Sequence, residues 1–220
     1  NFSFFAHYYP YDANCASSSI PFRINTQLSG TVSIDTANRY TLVNAGDLYI
    51  NNIKISPDPI SFNYTIPVFS TNSLALEQIY GHQTSIKLAK DDKNILESNI
   101  YIPKNIIIKG IDCNTGMFPD NSLKEGYTIK WNADNMNSNG VIIRLIGKDA
   151  NTIERNSYIL VRDIGSYSFS SSDLNLYPKA NNLLGIDITL MRGNFAILKG
   201  SDNRKYNFNF ITTCGYYFKQ

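Results

Sequence analysis

The most constraining feature of this chain is an alternation of apolar and polar side chains near its C-terminus. Between residues 206 and 218 every second position carries an aromatic, threonine or cysteine side chain, and Asn207 and Asn209 lie between them. Successive side chains of a β-strand point to opposite faces of its sheet, so a period of two is typical of a strand with one buried face. The segment is therefore predicted to be a half-buried strand that places Phe208 and Phe210 in the core.

The same alternation recurs along the chain, with turn-forming strings between its instances. The alternating segments are 62–66, 127–131, 141–145 and 186–190. The strings rich in Gly, Pro, Asn or Asp are 45–47, 57–59, 90–94, 137–140 and 200–203. Strands joined by such turns are typical of antiparallel sandwiches. The predicted fold class is all-β, with two antiparallel immunoglobulin-like β-sandwich modules in tandem.

The length of 220 residues is compatible with one large sandwich or with two smaller ones. We place a boundary between residues 97 and 98, in a stretch that combines the charged turn 90–94 with a strand-like run ended by Pro103. This predicts an N-terminal β-sandwich domain at residues 1–97 and a C-terminal immunoglobulin-like β-sandwich domain at residues 98–220. Each half then has the size of an immunoglobulin module, about 100 residues.

Charge and hydropathy exclude two classes of partner. The formal net charge is only +2, and the densest basic stretch is the pair Arg204-Lys205, so the chain lacks the electrostatic footprint of a nucleic-acid-binding protein. The apolar run 106–108 is closed by Lys104 and Lys109, far short of the roughly 20 apolar residues that span a bilayer. We therefore predict no nucleic-acid partner and no membrane-spanning segment.

The sequence also lacks the common catalytic motifs. It contains no G-x-S-x-G nucleophile elbow, no P-loop and no G-x-G-x-x-G string. Its two histidines, His7 and His82, lie outside metalloprotease motifs, and His82 is interpreted as a surface residue of a loop. The sequence predicts a non-enzymatic protein with no catalytic, cofactor-binding or metal-binding residues and no cofactor.

Residues 135–140 imitate the first half of a calcium loop, because oxygen-bearing side chains alternate before Gly140. Amides stand where such a loop needs carboxylates, and Ile146 occupies the twelfth position, where a bidentate Glu is required. The segment is therefore interpreted as a turn between a strand ending at Trp131 and a strand beginning at Val141.

The N-terminal segment is the candidate contact surface. Aromatic side chains crowd residues 4–11 without clear alternation. Either this segment is an edge strand packed on the sandwich, or Tyr8, Tyr9 and Tyr11 form a contact patch. Aromatic faces stack on sugar rings, so a patch of this kind would also suit a glycan.

Three cysteines, Cys15, Cys113 and Cys214, allow at most one intrachain disulfide, and the sequence does not fix its partners. Cys214 lies on the apolar face of the C-terminal strand. Free cysteine is among the most buried residue types, so a buried thiol is an equally good interpretation at this position.

Helix is predicted only as single turns. The two candidates are residues 74–80 and 173–177. The second is expected to be capped by Ser172 or Asp173, since short oxygen-bearing side chains accept hydrogen bonds from the first amides of a helix.

Four strings in the second half of the chain carry a resemblance to a known family. They are YTIKWNAD at 127–134, NGVIIRL at 139–145, DIGSYSF at 163–169 and RGN at 192–194. Over about residues 98 to 200 the chain resembles the cell-surface lipoproteins of Bacteroidetes, which carry immunoglobulin-like β-sandwich domains. In such a domain Trp131 would be a core aromatic residue between two sheets.

The resemblance implies an extracytoplasmic location, at the cell surface or in the periplasm, and lends no catalytic residues. Membrane attachment is expected only through a lipid anchor on a precursor segment outside this sequence. The expected function is a non-enzymatic cell-envelope protein for adhesion, assembly or surface binding, with another envelope protein or a surface glycan as partner. The alternative is a glycan-binding accessory protein of a polysaccharide-uptake system, motivated by 15 Tyr and 12 Phe.

Overall fold

The computed structural model describes residues 2–8, 25–30, 33–36, 39–66, 79–109, 123–149, 154–175 and 183–219. Within these ranges the chain is mostly β-strand and its sheets are antiparallel, which confirms the predicted all-β class. The immunoglobulin-like type of the sandwiches and their tandem arrangement stay predictions. No helix in the described ranges is both long enough and apolar enough to cross a bilayer.

Sixteen strands and one short helix lie in the described residues. The first nine strands are β1 (Phe2–Tyr8), β2 (Asn25–Gly30), β3 (Ser33–Thr36), β4 (Arg39–Leu42), β5 (Asp47–Ile50), β6 (Ile53–Ile55), β7 (Tyr64–Ile66), β8 (His82–Lys90) and β9 (Lys93–Ile102). The others are β10 (Ile108–Lys109), β11 (Thr128–Trp131), β12 (Val141–Asp149), β13 (Glu154–Val161), β14 (Ser166–Ser168), β15 (Leu183–Lys199) and β16 (Lys205–Lys219). The helix α1 spans Ser171–Leu174.

These strands form four sheets among the described residues. The seven-stranded sheet has the order β13-β12-β15-β16-β1-β2-β7, and the smaller sheets have the orders β6-β5-β8-β9, β10-β11-β14 and β3-β4. The β8–β9 hairpin turns at Asp91 and Asp92, both in the left-handed region that such tight turns require.

The chain divides into two compact units. Unit 1 comprises Asn1–Ala6, Asn25–Lys104 and Gly193–Ile211, and unit 2 comprises His7–Ile24, Asn105–Arg192 and Thr212–Gln220. Both units are discontinuous in sequence, because β15 and β16 each contribute residues to both. The boundary that we placed between residues 97 and 98 stays a prediction.

Unit 2 is built around an apolar core that contains Trp131. The inward side chains of β12 are Val141, Ile143 and Leu145, which are fully buried. The other buried members of this core are Ile106, Ile108, Leu123, Ile129, Phe169, Ile186, Ile188, Leu190 and Cys214. Because side chains alternate along β12 and β15, the core residues of these two strands point to the same face of the sheet.

Unit 1 has a separate set of buried side chains. The C-terminal alternation is confirmed there, since Tyr206, Phe208 and Phe210 of β16 are buried while the asparagines between them are only partly buried. Tyr64 is also fully buried, and its hydroxyl donates a hydrogen bond to the carbonyl oxygen of Gly46 at 2.6 Å. A buried phenol needs such a partner, because an unpaired hydroxyl would lose its hydration without compensation.

The helix α1 has a different cap from the one we predicted. The side chain of Ser170 accepts a hydrogen bond from the backbone amide of Asp173, and the Asp173 carboxylate accepts one from the backbone amide of Ser170. This reciprocal capping box makes Ser170 the N-cap. The prediction of Ser172 or Asp173 as the cap is therefore wrong.

Candidate functional site

Unit 2 contains a buried ion pair. The side chains of Arg192, on β15, and Asp163, in the loop between β13 and β14, are 0% and 1% exposed. Nε of Arg192 lies 2.7 Å from Oδ2 of Asp163, and Nη2 donates to Oδ1 at 2.8 Å. The Nη2–Oδ1 contact is a charge-assisted hydrogen bond, which is stronger than one between neutral groups, and the Nε–Oδ2 contact is an ion pair.

Neutral side chains complete the hydrogen bonding of the Asp163 carboxylate. Nε1 of Trp131 donates to Oδ1 at 2.9 Å, and Nδ2 of Asn137 donates to Oδ2 at 2.9 Å. The Asn137 amide also donates to the carbonyl oxygen of Gly140 at 2.7 Å. One carboxylate therefore connects a core tryptophan to the turn that precedes β12.

The guanidinium of Arg192 is also bound by backbone oxygens. Nη2 donates to the carbonyl oxygen of Asn132, and Nη1 donates to that of Asn105 at 3.4 Å. The Asn132 side chain in turn donates to Asn105 at 2.7 Å and accepts from the amide of Ile107 at 2.6 Å. We call the following side chains the buried network: Trp131, Asn132, Asn137, Asp163 and Arg192.

The electrostatics of the buried network suit a structural role. Burial acts to raise the pKa of Asp163, but hydrogen bonds from Arg192, Asn137 and Trp131, together with the charge of Arg192, outweigh it and hold the pKa below its ordinary value. A carboxylate that stays ionised and accepts hydrogen bonds on both oxygens has little capacity to transfer a proton to a ligand. Within the described ranges, no three His, Cys, Asp or Glu side chains are grouped so that they could hold a metal ion.

We expect acid to destabilise unit 2 through Asp163. The pKa of Asp is about 3.9 in an unfolded chain, and it is lower than that in the folded protein. The ion pair therefore contributes its full stabilisation above about pH 4 and loses it as the pH falls through the folded-state pKa. Urea unfolding followed by Trp131 fluorescence should show a steeper loss of stability from about pH 4 to pH 2 in the wild type than in Asp163→Asn. Equal slopes would contradict this assignment.

A cleft opens between two loops that the buried network connects. Its volume is about 510 Å³, and residues of the segments 134–140 and 160–164 line it. Leu160 and Ile164 are each 70% exposed and supply an apolar rim. Asn135 and Asn139 are exposed on the opposite loop and supply amide groups. The cleft therefore combines apolar contact area with hydrogen-bonding groups.

Two glycines provide a matched test of how tightly the 134–140 loop packs. Gly140 and Gly126 have nearly the same φ, +79° and +80°. A Cβ on Gly140 would lie 2.4 Å from the carbonyl oxygen of Val161, whereas a Cβ on Gly126 would meet nothing within 4 Å. We expect Gly126→Ala to lower the free energy of unfolding by about 1 to 2 kcal/mol through backbone strain alone. Gly140→Ala should cost about 1 to 3 kcal/mol more, because a backbone oxygen must also move.

Urea denaturation of the two glycine variants checks this prediction. The Gly126→Ala variant serves as the control for the left-handed backbone conformation. Equal losses of stability in the two variants would mean that the loop gives way easily at Gly140.

A second cleft lies in unit 1, beside the ends of β5 and β8. Its volume is about 400 Å³, and polar side chains dominate its lining. Tyr49 provides an aromatic wall, and Lys87 Nζ lies 5.9 Å from the centroid of its ring. Three acidic residues, Asp47, Asp91 and Asp92, also line the cleft. An aromatic ring next to several planar polar groups is a combination that can bind a sugar.

The predicted core residues do not meet in one place. Trp131 belongs to the core of unit 2, whereas Phe208 and Phe210 belong to unit 1, and all three are buried. The proposed aromatic contact patch lies largely outside the described residues. Tyr8 ends β1, but its side chain is not described, and Tyr9 and Tyr11 lie wholly outside the described ranges.

The structure also places the other residues that the sequence analysis considered. His82 is exposed at the start of β8. The calcium-like segment 135–140 lies between β11 and β12 and holds the Asn137 hydrogen bonds. Cys214 is a free buried thiol whose pKa burial raises to about 11, so its reactive thiolate form is suppressed. Cys15 and Cys113 lie outside the described residues.

Sequence reasoning missed Asp163 and Arg192. A signal for Arg192 was present, because it continues the buried positions Ile186, Ile188 and Leu190 of the same strand in steps of two. A charged residue on the apolar side of an alternating strand must have a buried partner of opposite charge. Nothing local in the sequence identifies Asp163 as that partner.

Comparison of this chain with known proteins finds no matching family model, no matching curated protein and no matching solved structure.

Proposed function

We propose that this chain is a non-enzymatic module of the bacterial cell envelope that binds another envelope protein, in adhesion or in assembly. The observation that carries the proposal is the cleft of unit 2. The buried network connects the two loops that line this cleft. Binding costs less free energy when the binding surface is already ordered, so a cleft fixed by a buried ion pair is suited to recognition. Its buried carboxylate is committed to hydrogen bonds, which favours binding over catalysis.

The proposed occupant is an apolar side chain from a protein partner. Leu160 and Ile164 offer it apolar contact, and the exposed amides of Asn135 and Asn139 can hydrogen-bond the main chain on either side of it. Anchors of this type, an apolar side chain in a pocket with a polar rim, carry much of the free energy in protein interfaces.

Location and fold type are part of the same proposal. The resemblance of about residues 98 to 200 to Bacteroidetes cell-surface lipoproteins supports an extracytoplasmic site and a lipid anchor on a precursor. It also supports immunoglobulin-like sandwiches as the finer fold type, together with the antiparallel sheets and the buried Trp131.

Site-specific photocrosslinking in the cells that produce the protein tests the cleft. A photoreactive residue replaces Ser138, an exposed residue of the cleft, and in a control protein it replaces Ser201, an exposed residue of a turn in unit 1. We expect a discrete adduct with a different envelope protein from position 138 and not from position 201. The adduct should disappear when Ile164→Asp places a charge on the apolar rim. Equal labelling from both positions, or adducts that survive Ile164→Asp, would contradict the proposal.

Glycan capture by unit 1 is the second candidate function. The specific observation that favours it is the cleft lined by Tyr49 and by the acidic residues Asp47, Asp91 and Asp92. A glycan array with the full chain should show reproducible binding that Tyr49→Ala abolishes. Tyr158→Ala, which removes an exposed tyrosine of unit 2, is the matched control and should leave binding unchanged. If no glycan on the array binds, or if both variants lose binding equally, this candidate function is wrong.

A further inference from the structure

The cleft of unit 2 exposes a positive charge. The charged members of its lining are Asp134, Arg162 and Asp163, and of these Arg162 is exposed while both aspartates are buried. The Asp134 carboxylate accepts a hydrogen bond from the backbone amide of Met136 at 3.1 Å. The Asp163 carboxylate is paired with Arg192, with Oδ2 lying 2.7 Å from Nε. The charged group that a ligand can contact in this cleft is therefore the Arg162 guanidinium.

The position of Arg162 in the chain places this charge beside the apolar rim. Leu160, Arg162 and Ile164 are exposed, whereas Val161 is partly buried and Asp163 is buried. The exposed side of this segment therefore presents an apolar side chain, a cation and a second apolar side chain in turn. Arginine is well suited to ion pairs at interfaces, because its planar guanidinium can donate two parallel hydrogen bonds to one carboxylate.

We infer that the protein segment bound in this cleft is acidic, with an Asp or Glu two residues away from its apolar anchor, and that this carboxylate binds Arg162. The inference rests on the proposed function, because it names the chemistry of the partner at the same cleft. Complementary charges across an interface speed association and exclude wrong partners, so the pair would select which envelope protein binds.

The spacing of two residues follows from the spacing on the cleft wall. β13 ends at Val161, so Leu160 lies in the strand and Arg162 directly follows it. Two residues of extended chain span about 6.6 Å. An extended partner segment has the same repeat, and its side chains two positions apart point to the same side. When one of them contacts Leu160, a neighbour two positions away lies within reach of Arg162.

A peptide uses the whole lining better than other anionic ligands do. A guanidinium also binds the phosphate or sulfate of an anionic glycan or lipid. A glycan would leave the apolar side chains of Leu160 and Ile164 without an apolar partner, and a lipid chain has no groups to hydrogen-bond the exposed amides of Asn135 and Asn139. An acidic peptide segment offers an apolar side chain, main-chain groups and a carboxylate together.

Photocrosslinking from position 138 in the producing cells tests the charge. Arg162→Glu should lower the yield of the adduct at least about tenfold, because the introduced carboxylate repels that of the partner. Arg162→Lys keeps the charge and should lower the yield about threefold or less. Lys130→Glu, an exposed change of the same net charge on β11, is the control and should leave the yield unchanged. Far-ultraviolet circular dichroism checks that all three variants fold.

Mass spectrometry of the digested adduct tests the chemistry of the partner. We expect the cross-linked segment to contain an apolar residue with an Asp or Glu two positions before or after it. Replacement of that acidic residue by Arg should remove the adduct with the wild-type chain. The same partner variant should restore the adduct with Arg162→Glu, since the charge pair is then reversed.

The outcomes separate this inference from the proposed function. An adduct that Ile164→Asp removes but Arg162→Glu leaves intact would overturn the acidic partner and keep the cleft as a binding site. A cross-linked segment without an acidic residue, or an adduct that proteinase K does not digest, as expected for a glycan or a lipid, would also overturn it. The absence of any specific adduct from position 138 would contradict the proposed function and the inference with it.

Discussion

Replacement of Asp163 by Asn should lower the free energy of unfolding by about 3 to 5 kcal/mol. Arg192 would keep its charge in a site where its side chain is 0% exposed, and it would lose the Asp163 carboxylate that lies 2.7 Å from its Nε. Removal of one partner of a buried ion pair is costly because the remaining charge has lost both its hydration and its counter-ion. Urea denaturation at neutral pH, followed by the fluorescence of the single tryptophan, measures the loss.

Two further variants separate this effect from a general loss of charge. Asp47→Asn removes a carboxylate that pairs with Lys54 at 2.7 Å on the surface, and it should cost at most about 1 kcal/mol. The double variant Asp163→Leu with Arg192→Met removes both buried charges, and it should be more stable than Asp163→Asn. A loss below about 1 kcal/mol for Asp163→Asn would mean that the ion pair is not desolvated in solution.

Replacement of Phe208 by Ala should cost about 3 to 5 kcal/mol, the second large effect. The ring is fully buried on β16, and truncation leaves a cavity that neighbouring strands can fill only in part. Phe195→Ala is the matched control, because this phenylalanine is 56% exposed on β15. It should cost about 0.5 kcal/mol or less. Similar losses for the two phenylalanines would show that the inward and outward faces of this sheet have been assigned wrongly.

Local sequence information was sufficient for the strands with a clear alternation, but not for β8 and β13, which the sequence analysis did not predict. The period of two at 206–218 and 141–145 reports which side of a strand is buried, and the structure places Phe208 and Val141 on those sides. The prediction is robust because it depends only on neighbouring residues in the same strand. The predicted cap of α1 was wrong by two or three residues, since Ser170, Ser171, Ser172 and Asp173 are all acceptable caps and only the backbone geometry selects one.

The buried network depends on contacts between residues far apart in sequence. Asp163 meets Trp131 and Asn137 from 32 and 26 residues away, and Arg192 from 29. The alternation within one strand does not encode such contacts, because these contacts depend on how several loops converge in the folded chain. The same holds for both clefts, whose walls come from separate turns. The sequence therefore predicted strands and turns but neither candidate site.

The discontinuity of the two units has a consequence for biosynthesis. Unit 1 takes Gly193–Ile211 and unit 2 takes Thr212–Gln220, so neither can gather all of its segments until the ribosome has translated these late residues. Contacts between segments so distant in sequence close slowly, and the nascent chain exposes unpaired strands while it waits. A polypeptide with this order of segments has a particular need for chaperone protection during translation.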